Sequence, residues 1–107
     1  MNRELVNFFL VHLKVERRLS IHTVTAYEND LKQFLAFIGL EVDITSIKSD
    51  LIRSWLIQLS DDTIQNRSIN RKLATLRTFF KFLLRRGDRL DNPMTTIKMI
   101  KTKKKLP

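Results

Sequence analysis

Residues 66–87, with the sequence NRSINRKLATLRTFFKFLLRRG, decide the fold of this chain. Apolar residues recur in this stretch at spacings of three and four, which predicts a helix with one buried face. These residues are Ile69, Leu73, Leu76, Phe80, Leu83 and Leu84. At about 100° per residue, the opposite face is polar and basic. It holds Arg67, Asn70, Arg71, Arg77, Thr78, Lys81 and Arg85.

The basic face of this helix has no acidic residue beside it, because residues 66–87 contain no Asp or Glu. Exposed helices usually mix charges, since Glu–Lys pairs four residues apart stabilise a helix by about 0.2–0.5 kcal/mol. A helix without such pairs presents a positive surface, and we expect that surface to meet an anion.

The composition indicates a small all-α protein. A chain of 107 residues is the usual size of one domain, and two Gly and two Pro are too few for the tight turns of an all-β fold. The chain has no Cys, which excludes disulfides and thiolate chemistry. No apolar run approaches the roughly 18 residues that cross a bilayer. We therefore expect a cytoplasmic protein without a membrane partner.

Positive charge is concentrated in the second part of the chain, which carries a net charge of +9 overall. Residues 1–65 hold seven Lys or Arg and nine Asp or Glu, for a net charge of −2, whereas residues 66–107 hold thirteen and two, for +11. This asymmetry is typical of nucleic-acid binders, although an acidic membrane surface or an acidic protein would also suit it.

The remaining sequence predicts four more helices, over residues 2–18, 21–38, 48–60 and 93–100. Polar side chains that accept hydrogen bonds are expected at helix starts, and glycine is expected at helix ends. The predicted starts are Asn2, Ser20 and, for the basic helix, Asp62 or Asn66; the predicted ends are Gly39 and Gly87. Five lysines between residues 98 and 105 predict an extended, mobile basic tail.

The first helix carries two adjacent apolar stripes, one containing Leu5 and Phe8 and the other containing Val6 and Leu10. Either the domain covers both stripes, or part of this helix is a contact between subunits. His12 lies on an apolar stripe and is interpreted as a core or interface residue.

The polar face of the second helix is mostly uncharged. It holds His22, Thr25, Ala26, Asn29 and Gln33, with Thr23 at its edge. Short hydroxyl side chains and free N–H groups near a helix start suit a phosphate backbone. A solvated face would explain the same residues equally well.

Groups that could catalyse a reaction are not brought together by the sequence pattern. His12 and His22 are separated by a helix break and have no carboxylate at metal-ligand spacing, and there is no Gly-rich phosphate loop. Tyr27 and Trp55 lie within apolar stripes, so we interpret them as core residues rather than as a nucleophile and a base-stacking platform. The chain is predicted to be a binding module without catalytic residues, metal or cofactor.

Three motifs resemble the N-terminal core-binding domain of tyrosine recombinases, the phage-integrase and Xer group. The first has that family's Leu-Ser, Thr, Tyr and Asp-Leu, here Leu19, Ser20, Thr23, Tyr27, Asp30 and Leu31. Residues 67–80, RSINRKLATLRTFF, resemble the family's serine, arginine-leucine, leucine-arginine and phe-phe helix. Asn92-Pro93 and residues 101–107 resemble its exit motif and interdomain linker, although many members have a proline where this chain has Ile100.

The resemblance implies a SAM-like bundle of four to five helices over residues 1–97, with a lysine-rich interdomain linker at residues 98–107. It implies double-stranded DNA as a partner, with the second and fourth helices against the duplex and a catalytic domain, beyond residue 107, on the opposite face. The implied DNA-contact residues are His22, Thr23, Thr25, Asn29, Arg67, Ser68, Asn70, Arg71, Lys72, Thr75, Arg77, Lys101, Lys103 and Lys104. This fragment would then cut no DNA by itself, and its first helix would be available for self-association on DNA.

Two other interpretations fit parts of the sequence. A helical protein-interaction domain would use the double apolar stripe of the first helix, together with the basic helix, against apolar or acidic partners. A helix-turn-helix regulator would also present a basic helix, but the loop before residue 66 is longer than the turn of that motif.

Overall fold

Four α-helices make up the structure, a computed structural model that describes residues 1–100. α1 spans Asn2–Val11, α2 Ile21–Ile38, α3 Ser49–Asp61 and α4 Asn66–Arg86. A π-helical turn, His12–Glu16, continues α1. The described part of the chain contains no strand, so the all-α prediction is confirmed. The predicted mobile tail falls largely on residues 101–107, which lie outside the described residues.

The ends of α2 and the end of α4 follow the predicted signals. Ser20 Oγ accepts a hydrogen bond from the Thr23 N–H at 3.2 Å, which satisfies a free donor of the first turn. Gly39 and Gly87 end their helices with φ of 86° and 84°, a backbone region that residues other than glycine rarely adopt. Both helices therefore stop where the sequence predicts.

Two predicted helix caps are wrong. Asn2 lies inside α1, and its amide instead holds the loop after α2: Nδ2 donates to Val42 O at 2.6 Å, and Oδ1 accepts from the Ile44 N–H at 2.9 Å. α4 has no side-chain cap at its start, so neither Asp62 nor Asn66 has that role. α3 begins one residue later than predicted, at Ser49.

The first helix is less regular than predicted. Its α-helical part ends at Val11, and the π-helical turn closes with the Arg17 N–H donating to His12 O at 3.1 Å. The chain then reverses at Arg18, whose φ is 53°. The predicted helix over residues 2–18 is therefore one α-helix plus one widened turn.

The predicted helix over residues 93–100 is absent. Residues 93–96 form turns, and Asn92 Oδ1 accepts a hydrogen bond from the Met94 N–H at 2.9 Å. A short segment gains few helical hydrogen bonds to offset the cost of forming its first turn. The side chain of Asn92 satisfies the backbone in a turn instead.

Aromatic side chains form the centre of the core around α4. Phe9 packs edge-on against Tyr27 and Phe79, with ring centroids 5.8 and 5.2 Å apart. Phe34 packs against Trp55 in the same manner, at 5.1 Å. Trp55 is only 2% exposed, which confirms it as a core residue.

The buried face of α4 is wider than its apolar stripe. Phe79, Lys72 and Thr75 are buried, although the predicted apolar stripe includes none of them, while Leu84 is 38% exposed. α2 packs along this flank of α4 and covers polar as well as apolar side chains.

Candidate nucleic-acid interface

One side of α4 is a largely exposed stripe that carries four cations. Its members recur at alternating spacings of four and three, which keeps them on one face of a helix. They are Arg67, Arg71, Ala74, Thr78, Lys81 and Arg85. We call these six residues the α4 stripe; with a rise of 1.5 Å per residue it is about 27 Å long.

The cations of the α4 stripe are largely without acidic partners. Within residues 1–100, Arg67, Lys81 and Arg85 form no salt bridge, and only Arg71 contacts a carboxylate, that of Asp30 at 2.9 Å. Lys81 and Arg85 are absent from the predicted contact residues, although their helical spacing already places them on the basic face. A protein surface that keeps its cations unpaired is suited to a polyanion.

Asp30 of α2 is the buried centre of a polar cluster under the first half of α4. Its side chain is 2% exposed and accepts hydrogen bonds from Arg71 Nη2 at 2.9 Å, Lys72 Nζ at 3.1 Å and Thr75 Oγ1 at 2.9 Å. Lys72 Nζ also donates to Gln33 Oε1 at 2.6 Å. We call these five residues the Asp30 cluster. It joins α2 to α4 at the edge of the α4 stripe.

The polar face of α2 runs toward the same cluster. All four predicted contact residues of this helix are exposed: His22, Thr23, Thr25 and Asn29. Asn29 is one helical turn before Gln33, which contacts Lys72. The uncharged face of α2 and the first half of the α4 stripe are therefore neighbours.

The fold uses several of the predicted contact residues of α4. Asn70 holds Ile100 through two hydrogen bonds, from Nδ2 to its carbonyl oxygen at 2.7 Å and from its N–H to Oδ1 at 2.8 Å. Arg77 Nη2 donates to Ile97 O at 3.1 Å. Ser68 is half-buried, and Lys72 and Thr75 are buried in the Asp30 cluster. The three predicted tail contacts, Lys101, Lys103 and Lys104, lie outside the described residues.

Within residues 1–100, the structure has neither a membrane-spanning helix nor a metal-binding cluster. No helix there is both long and apolar enough to cross a membrane. No group of three or more His, Cys, Asp or Glu side chains could hold a metal ion there. His12 does have a carboxylate neighbour, contrary to the prediction: Glu16, four residues on, contacts its Nδ1 at 2.6 Å. His12 is also partly buried and packs on the ring of Phe82, which agrees with a structural role.

Comparison with known proteins identifies the family. Residues 6–87 match the family model described as phage integrase, N-terminal SAM-like domain. The chain belongs to this family. The match spans α2, α3 and α4 and most of α1, so the α4 stripe and the Asp30 cluster lie within it.

The relatives of the chain are tyrosine recombinases. It is 40% identical over 108 residues to tyrosine recombinase XerC of Pelobacter propionicus, covering 97% of this chain and 35% of the relative. It is 42% identical to tyrosine recombinase XerC of Alcanivorax borkumensis, covering 95% of this chain and 33% of the relative. It is 33% identical to tyrosine recombinase XerD of Rickettsia bellii, covering 97% of this chain and 34% of the relative. The chain spans about a third of the length of these relatives. No solved structure gave a significant match.

These matches show that the chain is an N-terminal domain of a tyrosine recombinase. The predicted family and SAM-like class are confirmed. The DNA-contact residues and the domain boundary after residue 97 remain predictions.

Proposed function

We propose that this domain binds double-stranded DNA in the cytoplasm, as the DNA-binding part of a site-specific tyrosine recombinase. The start of α2 and the α4 stripe lie against one face of the recombination site. A catalytic domain of the full-length protein holds the opposite face, and the lysine-rich residues 98–107 link the two. In this arrangement the domain itself supplies no group to DNA cleavage.

The observation that carries this proposal is the α4 stripe itself. Four exposed cations lie along about 27 Å, and three of them have no carboxylate partner within residues 1–100. Phosphate contacts by Lys and Arg release counterions from DNA, which supplies most of the affinity that does not depend on sequence. Hydroxyl and amide side chains of α2 add neutral donors for phosphate oxygens.

The burial of individual side chains refines the predicted contacts. Arg67 and Arg71 are exposed and are proposed to contact DNA, as are His22, Thr23, Thr25 and Asn29 of α2. We propose that Lys72 and Thr75 act through the Asp30 cluster, because their side chains are buried. Asn70 and Arg77 are proposed to act through residues 92–100, which we call the exit segment and which they hold at Ile100 and Ile97.

A salt titration tests the proposal. Affinity of the chain for a fluorescent duplex is measured by anisotropy at several salt concentrations. If four to six phosphates are neutralised, log K falls against log salt with a slope of roughly −4 to −5, at about −0.9 per phosphate. Arg67→Met should shrink that slope by about 0.9, because it removes one phosphate contact.

The matched control is Arg53→Met, which removes one exposed cation from α3. It should leave the slope within error of the unaltered chain. A slope near zero for the unaltered chain would remove the proposal, and equal changes for the two variants would reduce it to an effect of net charge.

A second function for the same domain is self-association on DNA through α1. Phe8, Val11 and Val15 are 49%, 56% and 66% exposed, so the outer side of α1 and of the turn after it is uncovered. Clustered exposed apolar side chains often mark a contact with another protein. This supports the subunit-contact interpretation of the first helix.

Cooperative binding tests the self-association. On a duplex long enough for two copies, the second copy should bind more tightly than the first, and Val11→Glu should abolish the difference. Ile57→Glu, at an apolar side chain of α3 that is 63% exposed, is the control. Independent binding of the two copies by the unaltered chain would contradict this function and leave DNA binding intact.

A further inference from the structure

The Asp30 cluster contains more positive charge than its carboxylate needs. Lys72 is 6% exposed and 3.1 Å from Asp30 Oδ1, so it neutralises that carboxylate within the protein. Arg71 contacts the same oxygen at 2.9 Å, yet its side chain is 56% exposed. The cluster therefore keeps a net positive charge, and the side chain that presents this charge is the exposed one.

The contact with Asp30 uses little of the hydrogen-bonding capacity of Arg71. A guanidinium has five N–H donors in a planar fork, and within residues 1–100 only Nη2 donates, to Asp30. The other N–H groups of Arg71 have no acceptor within that part of the chain and can reach one outside the protein. One terminal nitrogen of the group is anchored, and the carboxylate that anchors it is itself fixed by Lys72 and Thr75.

We propose that Asp30 is a positioning residue for sequence recognition, which holds the guanidinium of Arg71 in the orientation that reads a guanine. This inference rests on the proposed DNA binding. A bidentate contact with guanine O6 and N7 requires a defined plane and direction of the guanidinium, whereas a phosphate accepts many directions. Anchoring the side chain before binding removes the entropy cost that such a defined contact would otherwise carry.

Two DNA probes separate this role from a general effect. Duplexes enriched by the unaltered chain from a random-sequence library serve as the specific probe, and a scrambled duplex of equal composition serves as the general one. Asp30→Asn keeps the shape of the side chain and removes its charge. The ratio of the two affinities should fall about tenfold, within the range expected for one bidentate base contact, while affinity for the scrambled duplex stays the same or rises.

A second variant guards against a folding defect, because Asp30→Asn leaves Lys72 buried without its carboxylate. The double variant Asp30→Asn with Lys72→Met removes both buried charges and keeps the net charge of the chain. It should show the same loss of discrimination. In an Arg71→Ala background, Asp30→Asn should cause no further loss, since the effect passes through Arg71.

The control is Asp50→Asn, which makes the same charge change at an exposed carboxylate of α3 that lies 3.5 Å from Arg53. It should leave the affinity ratio unchanged. A ratio that is unchanged in both Asp30 variants overturns the inference, as does a library that yields no enriched sequence. Failure of the unaltered chain to bind either duplex would instead overturn the proposed function.

Discussion

Two sites within residues 1–100 bury a charged side chain, and they do so in opposite ways. The Asp30 cluster buries an anion, and cations reach it from α4, one of them still exposed. The second site buries the guanidinium of Arg89, whose side chain is 3% exposed. Nη1 donates to Ile44 O at 3.0 Å and Nη2 to Ile47 O at 2.7 Å, while Nε donates to Asp91 O at 3.2 Å. We call this the Arg89 site.

The difference shows why a count of basic residues overstates a binding surface. All three nitrogens of Arg89 donate to groups of the protein, and its guanidinium also lies 5.3 Å from the ring centre of Phe80. Nη2 also pairs with Asp91 Oδ1 at 3.1 Å, so four of the five N–H groups donate within the protein and little of this buried cation is left for a ligand. Arg71 contributes the same formal charge but keeps most of its donors. The net charge of +9 thus contains cations with structural roles and cations with ligand-binding potential.

The surroundings of the Arg89 site are organised for the fold as well. Asp43, directly before Ile44, accepts hydrogen bonds from the N–H and the hydroxyl of Thr45, at 2.9 and 2.8 Å. These hydrogen bonds lower the pKa of the Asp43 carboxyl, with a smaller effect from the positive charge of Arg89. The turn that supplies carbonyl oxygens to Arg89 is therefore fixed by its own polar contacts.

The largest effect is expected at the Arg89 site. Arg89→Ala removes the donors to Ile44 O and Ile47 O. We therefore expect the free energy of unfolding, measured in urea, to fall by about 3 kcal/mol at an unchanged m value. Arg89→Lys keeps the positive charge but not the planar set of N–H donors, and it should reduce the free energy of unfolding by less. Arg67→Ala is the control on an exposed arginine that forms no salt bridge within residues 1–100, and it should change stability by less than about 0.5 kcal/mol.

DNA binding at matched folded fractions completes this test. If the Arg89 site serves the fold alone, folded Arg89→Ala should bind a scrambled duplex within about twofold of the unaltered chain, at a salt where that chain shows its full slope. If Arg89→Ala lost more affinity than its unfolded fraction explains, the two sites would not differ in the way described. Arg89 would then have to be counted with the α4 stripe.

The sequence predicts the helices well where local signals mark their ends. Ser20 and Gly39 bound α2, and Gly87 ends α4, because each satisfies or terminates the backbone within a few residues. The exit segment lacks such signals. Pro93 is compatible with a helix start, and Asn92 is compatible with a turn, so the sequence pattern does not decide between the two. In the structure Asn92 forms the turn.

The candidate site could be predicted only in outline. Helical spacing places the basic face of α4 correctly, but it does not say which neighbouring helix covers its flank. Asp30 lies three residues after Tyr27 and four before Phe34, a position that already indicates burial. Its partners Lys72 and Thr75 can be identified only when the packing of α2 against α4 is known. Local periodicity does not reveal contacts between residues more than 40 positions apart.

A smaller effect is expected at Asn70, which lies beside Arg71 but has both polar atoms of its side chain bonded within the fold. Its two hydrogen bonds to Ile100 tie the exit segment to α4. Asn70→Ala should therefore loosen that end locally: amide exchange of Ile100 accelerates about tenfold, which corresponds to about 1.4 kcal/mol, and global unfolding changes by less than 1 kcal/mol. Hydrogen exchange followed by NMR measures both.

Thr78→Ala provides the control for Asn70, because its hydroxyl donates to Ala74 O within α4 and does not touch the exit segment. Exchange at Ile100 should not respond to it. The opposite pattern for Asn70→Ala, with unchanged exchange at Ile100 and a selective loss of affinity for an enriched duplex, would make Asn70 a base-reading residue. Ligand binding on α4 would then involve a side chain that is also hydrogen-bonded to Ile100. Hydrogen bonds within the fold would no longer distinguish structural polar residues from ligand-binding ones.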